Sequence, residues 1–113
     1  MEHTLSLKNN AVFLKLYKKG GCLVSGCLIM YYRKNNVPFC RMGITVSKKV
    51  GKAVKRNRAK RLIRESYRTM DSYPCGYDIV FVARTKTAQA GFFEVKKDME
   101  KLFEKSGIKV KEK

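Results

Sequence analysis

The segment KRNRAKRLIRES, residues 55–66, constrains the fold of this chain more than any other. It sets Lys55, Arg56, Arg58, Lys60, Arg61 and Arg64 against a single acid, Glu65. At about 100° per residue, Ala59, Leu62, Ile63, Ser66 and Met70 fall within about a quarter-turn. Asn57, Lys60, Arg61, Arg64 and Arg68 fill a second arc of similar width. The segment therefore reads as an amphipathic helix, and the rest of the chain must supply an apolar layer beneath one of its faces.

Enough apolar material is present for that layer. The 113 residues are 44% apolar, with aromatic side chains spread along the whole length, which fits one domain spanning 1–113 and excludes a disordered basic tail. The net charge of +17 works against compaction unless a polyanion screens it. Nucleic acid is the first candidate for that partner and an anionic membrane surface the second. Between His3 and Arg64 there are sixteen Lys or Arg and no acid, whereas five of the nine acids lie at Glu94, Asp98, Glu100, Glu104 and Glu112. A cationic first part thus precedes a mixed-charge end.

The flanking elements follow from pattern and turn chemistry. Asn9 to Gly21 reads as a short helix, with an Asn N-cap, Val12, Phe13, Leu16 and Tyr17 at helical spacing, and Gly20 at C′. Strands are expected near Cys22–Val24, from Cys27 to Arg33, and from Cys40 with Met42, Ile44 and Val46 on one face. Ser25-Gly26 and KNNVP provide the turns between them. After the basic helix, YDIVFVAR (77–84) is apolar enough on both faces to be a central strand. Residues 86–91 read as a loop, Phe92 to Ser106 as a helix with Val95, Met99, Leu102 and Phe103 inward, and the basic tail from about 107 as frayed. The class is α+β, an α/β sandwich in the order helix, three strands, helix, strand, helix, with a four-stranded sheet.

Three groups of residues bear on function. A charge run is usually a solvated face, but a solvated helix intersperses Glu with Lys at i,i+4. Uncompensated charge over three turns points to counter-charges supplied from outside. The guanidinium forks of Arg56, Arg58, Arg61, Arg64 and Arg68 suit bidentate phosphate contact. Asn57 can meet a ribose hydroxyl or a base edge, or can be a plain solvent-facing residue. Second, Phe13, Tyr17 and Tyr31 are either core or a stacking platform for single-stranded RNA, the latter favoured by the company of Lys15, Lys18, Lys19 and Arg33. Third, SKKVGKAVKRNR leads from a strand through a Gly-containing loop into a helix N-terminus, which offers Lys48, Lys49 and Lys52 as candidate phosphate contacts, although the pattern is not a P-loop.

Neither a carboxylate pair nor a nucleophile with a base is evident, so no catalytic residue is assigned. With one His and no C-x-x-C pair, no metal site or protein-bound cofactor is expected. Cys22, Cys27, Cys40 and Cys75 read as reduced, Cys27 on a strand, in a cytoplasmic protein without a membrane span. A strand on either side of the basic helix argues against helix-turn-helix DNA binding.

GITVSKKVGKAVKRNRAKRLIRE (43–65), together with YDIVFVAR and the order of elements, resembles the bacterial ribonuclease P protein family over nearly the whole chain. The resemblance implies a sandwich of the ribosomal protein S5 domain 2-like type, with a left-handed βαβ crossover. It also implies a protein subunit of endoribonuclease P. In that family the RNA subunit, with Mg2+, cleaves precursor tRNA at the 5′ end of the mature sequence. Arg56, Asn57, Arg58, Lys60, Arg61 and Arg64, with Lys48 and Lys49, match the helix and loop that face the catalytic RNA. Phe13, Tyr17 and Tyr31 match the cleft that holds the single-stranded 5′ leader. Tyr17 stands where Phe is common. A structural RNA binder such as a ribosomal protein is the alternative.

Overall fold

Residues 77–83, apolar on both faces apart from Asp78, form the middle strand of the sheet. The computed structural model describes residues 4–6 and 10–112. Its elements are β1 (Thr4–Ser6), α1 (Asn10–Lys19), β2 (Gly21–Val24), β3 (Leu28–Lys34), β4 (Cys40–Thr45), α2 (Ala53–Arg68), β5 (Ser72–Pro74), β6 (Tyr77–Ala83), α3 (Phe92–Ser106) and β7 (Val110–Glu112). The main sheet has the order β1-β4-β6-β3-β2. β6 runs antiparallel to β3 and parallel to β4, so α2 is the crossover that connects the parallel pair.

The strand pleat divides the side chains between two layers. Leu28, Met30, Met42, Ile79, Phe81 and Ala83 point to the layer that also holds Ala59 and Ile63 of α2 and Val95, Met99, Leu102 and Phe103 of α3. Val80, Val82 and Tyr31 point to the opposite layer, where Leu16 and Phe13 of α1 cover them. All four residues expected on the inner face of α3 are buried, as are Ala59, Ile63, Ser66 and Met70, with Leu62 packed at the edge.

Polar groups lock the loops. Asn35 accepts from the Val37 N–H (3.1 Å) and donates to the Phe39 carbonyl (3.3 Å) and Asp78 Oδ1 (3.0 Å), closing the KNNVP turn. Asp78, nearly buried, also takes both Nε (2.7 Å) and Nη2 (2.8 Å) of Arg41, which satisfies a carboxylate set inside the sheet. Ser25 brackets the tight turn before β3, accepting from the Leu28 N–H (3.0 Å) and donating to the Leu28 carbonyl (3.1 Å).

Several expectations need correction. The main sheet gains a fifth strand, β1, held beside β4 with Thr4 hydrogen-bonded to the buried Tyr67 hydroxyl. Residues 108–112 are not frayed: Ile108 is buried and β7 pairs with β5. The expected loop at 86–91 contains a 3-10 turn with Thr87 and Ala88 buried. There the Thr87 hydroxyl accepts from the Arg84 N–H (2.9 Å) and donates to the Cys27 carbonyl. Cys27 itself lies one residue before β3, its N–H bound to Asp98 Oδ2 at 2.9 Å. Gly20 does end α1, but by close approach: a Cβ there would sit 2.7 Å from the Tyr32 carbonyl oxygen and 2.8 Å from that of Leu16. The Asn9 cap lies outside the described residues, as does the Val12 side chain.

Burial also sorts the four thiols, all of them free. Burial and the neighbouring Asp98 push the Cys27 thiol up to about 11, and burial pushes that of Cys40 up to about 12. Thiolate is the reactive form. Native protein treated with iodoacetamide at pH 8 is therefore expected to modify exposed Cys22 first and half-buried Cys75 next. Cys27 and Cys40 should react only after unfolding, and rapid labelling of all four by mass spectrometry would contradict this core.

Candidate nucleic-acid interface

The interface is assembled where β4 hands over to α2. Lys48 and Lys49 are exposed on a 3-10 turn, Gly51 takes φ 141°, and Lys52 precedes the first turn of α2. That φ strongly favours glycine, and with it the chain turns sharply enough to present Lys48, Lys49 and Lys52 beside the unpaired N–H groups of the helix start. No acid lies in that turn.

Along α2, Asn57, Lys60, Arg61 and Arg64 line a shallow groove together with Val54. Among the described residues, Lys60, Arg61 and Arg64 make no hydrogen bond or ion pair. Arg68 differs, because it grips Glu65 through Nη2 (2.7 Å) and Nε (3.3 Å) and holds that carboxyl below its usual range. The uncompensated cationic surface of the helix is thus centred on Asn57, Lys60, Arg61 and Arg64.

Two arginines of the expected set stand apart. Arg58 donates from Nε to the Ala88 carbonyl (2.9 Å) and from Nη2 to that of Ala90 (3.3 Å), so its fork ties α2 to the 3-10 turn before α3. Arg56 lies on the other side of the helix, half-buried, with its Nε enclosed and lacking a hydrogen-bond partner. The sequence carries no local signal for either placement, since the carbonyls that hold Arg58 are 30 and 32 residues away.

These placements separate two substitutions. Arg61→Ala is expected to lower the log–log salt slope of RNA binding by roughly 0.7 to 0.9, the share of one phosphate contact. Arg58→Ala should leave the slope unchanged and cost about 1–2 kcal/mol of stability through its two lost charged hydrogen bonds. Filter binding at four salt concentrations and urea unfolding would read both, and equal slope changes would reverse the assignment.

A second site forms on the opposite layer. Tyr31 of β3 meets Tyr17 of α1 edge to face with centroids 4.7 Å apart, and Phe13 lies 6.5 Å from Tyr17. The Tyr17 hydroxyl is 3.3 Å from the Thr45 hydroxyl of β4. Tyr17 is 37% exposed, and Phe13 and Tyr31 are half-buried, so the trio is both the edge of a core and an open aromatic surface. Burial and the adjacent Cys22 thiol raise the Tyr31 hydroxyl above its usual range, which keeps it neutral.

Arg33 is two residues along β3 from Tyr31, on the same face and exposed. Lys15 is not beside the rings: two residues from both Phe13 and Tyr17, it lies roughly opposite them around α1 and points outward. Cys22, Thr45, Val80 and Val82 complete the floor through cross-strand register, with Cys22 opposite Tyr31 and Tyr31 opposite Val80. Pairing register is set by the whole sheet, which is why sequence reading passed over them.

The chain that carries this cationic helix arc and this aromatic cleft matches known proteins in sequence and in fold. The family model for Ribonuclease P matches residues 1–107. The ribonuclease P protein component of Thermoanaerobacter sp. (strain X514) is 43% identical over 105 residues, covering 92% of this chain and 90% of that one. The RNase P protein of Staphylococcus aureus superposes with a TM-score of 0.80 at 32% identity, covering 91% of this chain and 95% of that one. That of Thermotoga maritima gives 0.77 at 31% identity, covering 88% and 96%. With its sequence and its fold in agreement, the chain belongs to the ribonuclease P protein family.

Proposed function

We propose that this protein component of endoribonuclease P holds the catalytic RNA against Lys48, Lys49, Lys52, Asn57, Lys60, Arg61 and Arg64, and the 5′ leader of precursor tRNA in the α1–sheet cleft. Ribonuclease P RNA is the partner that family membership implies. The observation that carries the leader assignment is the convergence of Phe13, Tyr17 and Tyr31. Separated by up to eighteen residues in sequence, they meet as a half-open aromatic surface on the layer away from α2. Bases of a single strand stack on such rings without regard to sequence.

The chemistry belongs to the RNA in this reading. Among the described residues no cluster of three or more His, Cys, Asp or Glu side chains occurs, and no step is assigned to a metal held by the protein. The protein's contribution is electrostatic and positional: it screens phosphate repulsion between the two RNAs and orders the leader.

The test is reconstitution. Purified protein is combined with ribonuclease P RNA and a leader-bearing precursor tRNA at low magnesium. Restored cleavage at the mature 5′ end, with none by protein alone, is expected. RNA binding without any effect on cleavage would make the chain a structural RNA binder, and cleavage by protein alone would place an active site that the residues do not show.

A further inference from the structure

At the start of α3, Phe93 is 80% exposed and rests against the ring of Phe92, with centroids 5.2 Å apart at 71°. A single exposed apolar residue is ordinary, but the surroundings of this one are not. Three residues before it, the Ala90 carbonyl is held by Arg58 of α2. The next turn of α3 sends Lys96 to the Thr69 carbonyl at the end of α2, its Nζ 5.9 Å from the Phe92 centroid. The two helices are therefore fixed side by side at both points.

Helix geometry then places the ring. At about 100° per residue, Phe93 lies about 60° around α3 from Lys96, on the outer surface and on the α2 side. On α2, Arg58 and Leu62 face α3, and Glu65, Val54 and Arg61 occupy the next arc outward, before Arg68, Asn57 and Arg64, with the Glu65 carboxylate taken up by Arg68. Val54 is itself 79% exposed and lines the cationic groove with Arg61. The neighbouring Glu94 carboxylate is paired with Lys86 at 3.7 Å, and the next acid on that side, Glu100, is about two turns further along.

We propose that Phe93 is a stacking platform for an unpaired base of the catalytic RNA, at the α3 border of the cationic arc and separate from the leader cleft. This rests on the α2 arc being the surface that binds the catalytic RNA. The ring meets Phe92 edge to face and, at 80% exposed, leaves a face open for a base to cover. The cations beside it neutralise the phosphates that come with that base. Another protein or a second copy of this chain fits less well, because a surface carrying Arg61, Arg64 and Lys60 without counter-ions repels its own kind.

The chain has no Trp, so Phe93→Trp installs a single indole reporter at the site. Titration with ribonuclease P RNA is expected to quench its emission, and Phe93→Trp and Phe93→Tyr should bind the RNA as the parent does. Phe93→Leu, apolar but unable to stack, should bind at least about fivefold more weakly, with an unchanged salt slope. Far-UV circular dichroism checks that this exposed substitution leaves the fold intact. RNA bound without quenching, or parental affinity in Phe93→Leu, would overturn the platform while leaving the α2 interface standing. An emission shift that follows protein concentration without RNA would assign the ring to self-association instead. A parent protein that does not bind the RNA would overturn the interface reading on which the platform depends.

Discussion

Replacing Phe81 with alanine is expected to cost about 3–5 kcal/mol, a large share of the stability of a chain this size. Phe81 is fully buried at the centre of β6, the central strand. Its ring meets Tyr67 of α2 at 6.3 Å and Phe103 of α3 at 6.0 Å, both edge to face. One side chain thus seats both helices on the sheet, and its loss leaves a cavity that neither can fill without moving. Aromatic pairs of this geometry add about 0.5–1.5 kcal/mol each beyond area burial. Urea unfolding should show the loss, with Phe81→Leu intermediate. A change below about 1 kcal/mol would mean that the helices are anchored elsewhere.

Tyr31→Ala is expected to act on substrate choice. Stacking contributes about 1–3 kcal/mol per base, so affinity for a leader-bearing precursor tRNA should fall by at least about fivefold while affinity for mature tRNA stays the same. Tyr31 also packs against Val80 and Leu16, and the variant will lose some stability, so Tyr31→Phe, which keeps the ring, is the control. Equal losses for both tRNAs, or none for either, would remove the leader from this cleft. Tyr17→Ala should lose less on top of Tyr31→Ala than alone, because the two rings form one surface.

The elements with strong periodicity were legible in the sequence. Val95, Met99, Leu102 and Phe103 recur at helical spacing and are all buried, and YDIVFVA is central because both of its faces are apolar. What escaped reading depends on contacts far apart in the chain. Tyr67 was not placed inside, since its burial comes from Phe81 and Thr4. The tail could not be read as a strand because β7 has only exposed residues and exists through pairing with β5. In the interface, the free charges Lys60, Arg61 and Arg64 followed from the helical arc. Arg58 did not, because charge pattern cannot show that a guanidinium has backbone carbonyls within reach. The aromatic trio was legible as a list and ambiguous as a role, since spacing does not say how far α1 leaves the rings open.

The position of β6 also governs when this protein can fold. β3 and β4 are consecutive in the chain yet never touch in the sheet, because the strand that joins them comes after α2. During synthesis the first 76 residues can make the β2–β3 hairpin but cannot close the sheet, and α2 has no floor to settle on. Its cations then sit on a nascent chain beside ribosomal RNA and other polyanions. Completion is a late, non-local step, of the kind that loop-closure entropy makes slow. The moment when residues 77–83 become free to pair with β3 and β4, rather than helix propensity, then decides how long the charged segment stays loose.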